Sequence, residues 1–325
     1  MSEHQVEAWT ATSDLFLQAV VYKNDLIVAG LADYPSTPGH TKVQLRRKQS
    51  QLWEYADTDF IHVMTTIETL AESIRETYGV QRCALVTTGG STLSIIPLHG
   101  LRDEWEPVTS DVKAFHAKYP GYVSSHDGPH MSSEALDALC LEIQRVSGIS
   151  PPFNYTFGDG DLSNIFSRIV KGELSHYRLW EDDQHVAFLT PFANTPGITV
   201  LVPRTQLSSD ILAFDNHDFV KLMLAAKKVE GVLTKALGVM RCGMICEGFE
   251  IDYPQVKLIP INEDQHASRS WFESDTSARG EFQSTYPGFV TSLDGEAAVD
   301  LTGLRAKALE IRRQLKGRIV VPPKS

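Results

Sequence analysis

The chain has 325 residues, 42% hydrophobic and 22% charged, with a formal net charge of −11 and a pI near 5.5. That length suits about two compact domains, each with its own core, and the acidic balance argues against duplex nucleic acid or an anionic membrane as a main partner. No apolar run reaches membrane-spanning length, Met1-Ser2-Glu3-His4 lacks a secretory pattern, and Cys83, Cys140, Cys242 and Cys246 make no secreted disulfide framework, so a cytoplasmic protein is expected.

In chain order, residues 25–31 form a short apolar run with strand character. Thr37-Pro38-Gly39 punctuates it, and a second strand follows over 41–45. Residues 59–78 predict a helix, because Phe60, Val63, Ile67, Leu70 and Ile74 recur at helical spacing and Gly79 supplies the stop. A strand over 83–86 leads on to Ile96-Pro97, and 132–146 predicts a closing helix. The same series then starts again. Strands over 185–189 and 198–202 flank Thr195-Pro196-Gly197, a helix over 219–237 ends at Gly238, a strand over 243–245 precedes Ile259-Pro260, and 301–315 closes with a helix. Strands and helices do not alternate strictly, so an antiparallel α+β fold is expected over a doubly wound parallel sheet.

The recurrence extends to individual residues. Tyr119-Pro120-Gly121-Tyr122-Val123-Ser124-Ser125-His126-Asp127-Gly128 returns as Tyr286-Pro287-Gly288-Phe289-Val290-Thr291-Ser292-Leu293-Asp294-Gly295. Val80-x-Arg82-Cys83 matches Val239-x-Arg241-Cys242, and Leu141-Glu142-Ile143-x-Arg145 matches Leu309-Glu310-Ile311-x-Arg313. The offset widens in small steps from 158 (195 − 37) to 168 (309 − 141), as expected when insertions fall in loops. Two domains are therefore expected, over 1–150 and 151–325.

Four segments of the second copy, in order, resemble the histidine-triad (HIT) family: Asn164-Ile165-Phe166-Ser167-Arg168-Ile169-Val170-Lys171-Gly172-Glu173-Leu174, then Trp180 to Leu189, Thr195 to Arg204, and Glu247 to Pro260. The resemblance implies a small antiparallel sheet with two helices per domain, the two copies forming an intramolecular version of the family's homodimer. It also implies nucleotide chemistry through His-φ-His-φ-His-φ-φ, whose middle imidazole attacks phosphorus. Counted back from Pro260, the three positions hold Tyr253, Gln255 and Lys257; counted back from Pro97, they hold Gly90, Thr92 and Ser94. A carboxamide at Gln255 lacks the basic lone pair of imidazole, so the covalent mechanism is not expected at either site.

If the segment is a strand, Tyr253, Gln255 and Lys257 share one face, offering a phenol, an amide and an ammonium to a polar ligand, with Lys257 as acid or base. By resemblance, Ile165, Phe166, Ile169 and Phe188 line a base pocket, and Thr190 stands where the family often holds a ribose with an acidic residue. His126, Asp127 and His130 cluster in one loop, but loop spacing alone does not make a metal site, and the shared Asp-Gly reads as turn chemistry. His99 and His266 each follow an Ile-Pro and reach toward the site only from loops. Cys242 and Cys246 read as buried small hydrophobes. No cofactor or metal is expected, and the expected partner is a small or nucleotide-like ligand, the chain acting as a monomeric pseudo-dimer or as a further homo-oligomer. Three functions follow: a repurposed enzyme without a histidine nucleophile, a nucleotide-binding pseudoenzyme, or a partner-binding protein.

Overall fold

The computed structural model describes residues 19–47, 51–174, 176–263, 278–316 and 318. Its strands are β1 (Val20–Lys23), β2 (Ile27–Leu31), β3 (Thr41–Leu45), β4 (Cys83–Thr87), β5 (Thr92–Pro97), β6 (Tyr177–Glu181), β7 (His185–Leu189), β8 (Thr199–Pro203), β9 (Cys242–Cys246) and β10 (Val256–Pro260). Its α-helices are α1 (Asp57–Tyr78), α2 (Ser133–Ser147), α3 (Ile165–Val170), α4 (Asn216–Leu237) and α5 (Leu301–Leu315). All ten strands join one antiparallel sheet in the order β1-β2-β3-β5-β4-β9-β10-β8-β7-β6. The fold is α+β, as expected.

The order reads alike from either edge. At the centre β4 pairs with β9, and Val86 stands opposite Ile245, with Leu85–Cys246 and Thr87–Met244 on either side. Every residue of both central strands is buried, so the sheet is covered on both faces. One face meets α1 and α4, whose stripes Phe60, Val63, Ile67, Leu70, Ile74 and Phe219, Leu222, Val229, Leu233 are almost fully excluded from water. Both helices stop the same way. Gly79 and Gly238 take φ of 63° and 64°, a left-handed cap that a side chain would strain. The shorter helices cross over: α2 lies against α4 and β6, whereas α5 lies against α1 and β1.

The second face is roofed by loops. Ala84, Val86, Ile96, Ile245 and Ile259 pack against Val123 and Val290, which come from the two Tyr-Pro-Gly runs. Those runs pair with each other: Ser124 bridges Thr291, the Ser125 amide donates to the Val290 carbonyl (3.0 Å), and the Ser292 amide donates to Val123 (3.0 Å). The repeated segment is therefore the contact between the two copies of itself.

Beyond β5 and β10, which were read only as leading to an Ile-Pro, three elements were not predicted, for physical reasons. β1 has only four residues, and α3 has six, started by Asn164 accepting from the Phe166 amide. β6 carries Arg178 and Glu181, which disguise its burial. The Arg178 side chain is wholly buried, pairs with Glu181 at 2.7 Å and donates to the Ile169 and Val170 carbonyls at the end of α3. Arg204 reaches the same Glu181 oxygen at 2.9 Å. The predicted strand over 25–31 starts later, at Ile27, because the Asn24 side chain accepts from the Leu26 and Ile27 amides and holds a turn.

Candidate functional site

The β9–β10 hairpin carries the candidate site. Between the strands the chain bends at Gly248, where φ is +87° and an added Cβ would lie 2.4 Å from the Ser209 carbonyl oxygen. Glu247 and Glu250 flank that bend and share a lining with Gln255 and Lys257. The result is a small depression of about 10 Å³, room for about one water-sized group, lined by Ile245, Glu247, Gly248, Glu250, Gln255 and Lys257.

Its charges are organised around Lys257, whose side chain is 14% exposed and whose Nζ lies 2.6 Å from Glu250 Oε2. Burial alone would depress this ammonium, but Glu250 and Glu247, helped by Asp127, outweigh it and hold the pKa above its ordinary value. Lys257 is therefore a fixed positive charge at neutral pH and not a base. Glu247 shifts upward, because burial outweighs Lys257 and the hydrogen bonds from Tyr286 and Ser125. The Tyr286 hydroxyl donates to Glu247 Oε1, and burial and that carboxylate push the phenol up. Gln255 is 4% exposed, and its Oε1 has no hydrogen-bond partner among the described residues. A buried acceptor left so costs about 1–3 kcal/mol unless something enters to donate to it.

The structure brings Gln255 and Lys257 together and separates Tyr253 from them. Tyr253 is fully buried, its hydroxyl donates to the Pro203 carbonyl at 2.8 Å, and its ring stands edge-on to Phe166 at 5.7 Å. It is core, because the chain kinks before β10 begins at Val256 and the phenol falls into the cluster beyond β8. Phe166 and Phe188 belong to that cluster and Ile169 packs against it. Ile165 is 47% exposed, and the Thr190 hydroxyl accepts from the Phe192 amide in a turn. These five residues do not line the depression beside Gln255; Tyr253 fills the space among Phe166, Phe188 and Val200.

Sequence reasoning missed Glu247, Glu250, Tyr286 and Ser125. Tyr286 and Ser125 lay in plain view within the repeated runs. Their repetition suggested scaffold alone, whereas the loop that closes the dyad also leans on the hairpin. In the first half, Ser94 stands opposite Val86 as Lys257 stands opposite Ile245, which is the register obtained by counting back from Pro97. Thr92 donates to Gln44 Oε1 at 2.8 Å. A lysine is present there too, one strand over: Lys42 is opposite Ser94, and its Nζ lies 2.5 Å from Asp294.

The remaining candidates have structural partners. His126 stacks on Phe289 with ring centroids 3.8 Å apart, His130 stands edge-on to Phe192, and Asp127 pairs with Lys113 at 2.9 Å. Among the described residues no group of three His, Cys, Asp or Glu side chains is placed to hold a metal ion. His99 bonds the Pro38 carbonyl at 2.8 Å, and His266 lies outside the described residues. All four cysteines are free and buried, with Cys246 pushed up to about 12 by burial. No described helix is long and apolar enough to cross a membrane.

No family model matches the chain. A stretch of 70 residues is 37% identical to an uncharacterized HIT-like protein of Saccharolobus solfataricus, taking in 20% of this chain and 50% of that protein. The chain thus spans about half the length of the curated relative it matches. Among solved structures it is similar to a GalT-like protein from Arabidopsis thaliana, at 10% identity and a TM-score of 0.45 over 74% of this chain and 75% of that one. It is also similar to a uridylyltransferase, at 11% identity and a TM-score of 0.44 over 92% and 87%. Over those 70 residues the chain is similar to that HIT-like protein.

Proposed function

We propose that this chain is a divergent HIT-like protein of two fused halves, over 1–150 and 151–325, that binds a small polar ligand in its second half without the family's covalent nucleotidyl chemistry. The observation that carries the reading is Gln255. It stands at the position expected for the nucleophile, it has no basic nitrogen, and it lines a depression with a buried oxygen that has no donor among the described residues. Lys257 supports binding over catalysis, because its pairing with Glu250 makes it a fixed charge. The depression has room for about one water-sized group, which favours a compact ligand or one group of a longer molecule.

The test is a thermal-shift panel of nucleosides, nucleotides and small polar metabolites, run beside an assay for AMP release from an adenosine phosphoramidate. Saturable stabilisation by some member, about 2.7 kcal/mol at a hundredfold excess over Kd, is expected, with no AMP released. A flat panel or robust AMP release overturns the reading.

A second reading, turnover without a covalent intermediate, is favoured by Glu247, which burial raises toward use as a general acid beside Tyr286. Under it, Glu247→Gln abolishes turnover of whichever ligand binds while leaving the melting temperature nearly unchanged.

A further inference from the structure

The charges that line the depression do not cancel. Glu247 and Glu250 face a single ammonium, Lys257. Lys257 is committed to Glu250 at 2.6 Å, and Glu247 is held by neutral donors, the hydroxyls of Tyr286 and Ser125. Neutral donors can satisfy a carboxylate's lone pairs, but they cannot balance its charge. Asp127, in the loop above, adds a further negative charge near Lys257 and has its own partner in Lys113 at 2.9 Å. When Glu247 is ionised, two carboxylates face one ammonium in a partly desolvated place, where a surplus of negative charge is costly and burial raises the Glu247 pKa accordingly.

The orphan acceptor points to the same chemistry from a different side chain. Gln255, 96% shielded from solvent, has a carbonyl oxygen to which nothing donates among the described residues. Two carboxylates and one unpartnered carbonyl share the lining of this depression. An incoming phosphate or carboxylate would meet like charge from Glu247 and Glu250. A group with positive charge and several N–H bonds would meet its complement.

We infer that the second-half depression, taken as a binding site in the reading above, accepts the ammonium group of a small amine, held between Glu247 and the Gln255 carbonyl. An –NH₃⁺ group has three donors in a compact tetrahedron, so it can serve Gln255 and Glu247 together while its alkyl stem leaves through the open side. Selection against anions comes from the carboxylates, and selection for N–H donors over bare charge comes from Gln255.

The experiment titrates the full chain calorimetrically with n-butylammonium chloride, tetramethylammonium chloride and sodium phosphate at matched ionic strength. Saturable binding of n-butylammonium is expected, with none for tetramethylammonium, which has the charge but no donor, and none for phosphate. Glu247→Gln and Gln255→Leu should each weaken n-butylammonium at least about tenfold, the loss of one charge-assisted or buried hydrogen bond. Circular dichroism and unfolding midpoints identify any variant that has merely lost its fold. Gln255→Glu, which adds charge at the same spot, should tighten binding and so remains informative if the other variants prove unstable. Equal binding of both ammonium ions, no binding of either, or binding indifferent to both Glu247 and Gln255 overturns the inference. If a neutral or anionic compound binds instead, in a Gln255-dependent way, the pocket stands and the amine falls.

Discussion

Each half of the sheet keeps one lysine at nearly the same place, but the surrounding carboxylates differ. In the first half Lys42, on β3, meets Asp294, and Arg279 approaches the same carboxylate at 3.6 Å while covering the Tyr34 ring. Two cations there share one acid. In the second half Lys257, on β10, faces Glu250 and Glu247, and two acids share one cation. The comparison teaches that a lysine at this height of the sheet can sit in local fields of opposite balance. At the nucleophile-equivalent position the two differ: among the described residues Gln255 Oε1 has no hydrogen-bond partner, whereas Thr92 in the first half is bonded to Gln44.

The largest test removes the two lysines. Lys257→Met leaves Glu247 and Glu250 without their cation and should cost about 3 kcal/mol in urea unfolding at pH 7. Lys42→Met leaves Asp294 beside Arg279, and its cost should stay near 1 kcal/mol or less. Equal losses would mean that the surplus of acid in the second half carries no energetic weight, and the contrast would collapse.

The paired helices α1 and α4 should behave alike where the sites differ. Burial, with help from Glu72, pushes Glu68 on α1 up to about 7, and burial pushes Glu230 on α4 up to about 7. A carboxyl raised in the folded state favours folding while it is protonated. Its contribution is present in full below about 4.5 and is lost once the pH has risen through about 7. Stability should therefore fall between pH 5 and 8. Glu230→Gln should flatten that fall by roughly 1–2 kcal/mol, and Glu68→Gln, on a less buried group, by less. A pH profile unchanged in both variants would place the titration elsewhere.

The helices and most strands were legible because period and punctuation agreed: Phe60 to Ile74 gives the stripe, and Gly79 and Gly238 give the stops. The antiparallel class followed from element order. The site was legible only in part. Gln255 and Lys257 could be placed by counting from Pro260, but Tyr253 could not be assigned to core, because strand alternation fails where the chain kinks between Ile251 and Gln255. Glu247 and Tyr286 were invisible for a different reason. Their 39-residue separation closes only through the roof loop, and nothing local in the sequence reports a contact of that kind. β6 was hidden by its own charges, since Arg178 is buried against Glu181 and carbonyl oxygens and not in water.

Two tyrosines sharpen the line between core and site. Tyr286→Phe removes a donor to a carboxylate and should cost about 1.5–3 kcal/mol while weakening any ligand that depends on Glu247. Tyr253→Phe removes a neutral bond to the Pro203 carbonyl and should cost about 1 kcal/mol with ligand binding untouched. Should Tyr253→Phe alter binding as Tyr286→Phe does, the phenol in the Phe166 cluster would belong to the site after all.

The smallest expected effect discriminates most sharply, because it is a predicted absence of cost. Leucine at position 255 has nearly the shape of glutamine and removes an acceptor that nothing satisfies. Gln255→Leu should therefore be neutral or stabilising by up to about 1 kcal/mol, since replacing an unmet buried polar group by an apolar one recovers its desolvation penalty. Thr92→Val, at the corresponding position of the first half, breaks a made bond and leaves Gln44 short of its donor, so it should cost about 1 kcal/mol. Both are read from denaturant midpoints without ligand. A residue retained at a cost to stability has a use outside the folded core, and a Gln255→Leu variant as destabilised as Thr92→Val would return Gln255 to the scaffold.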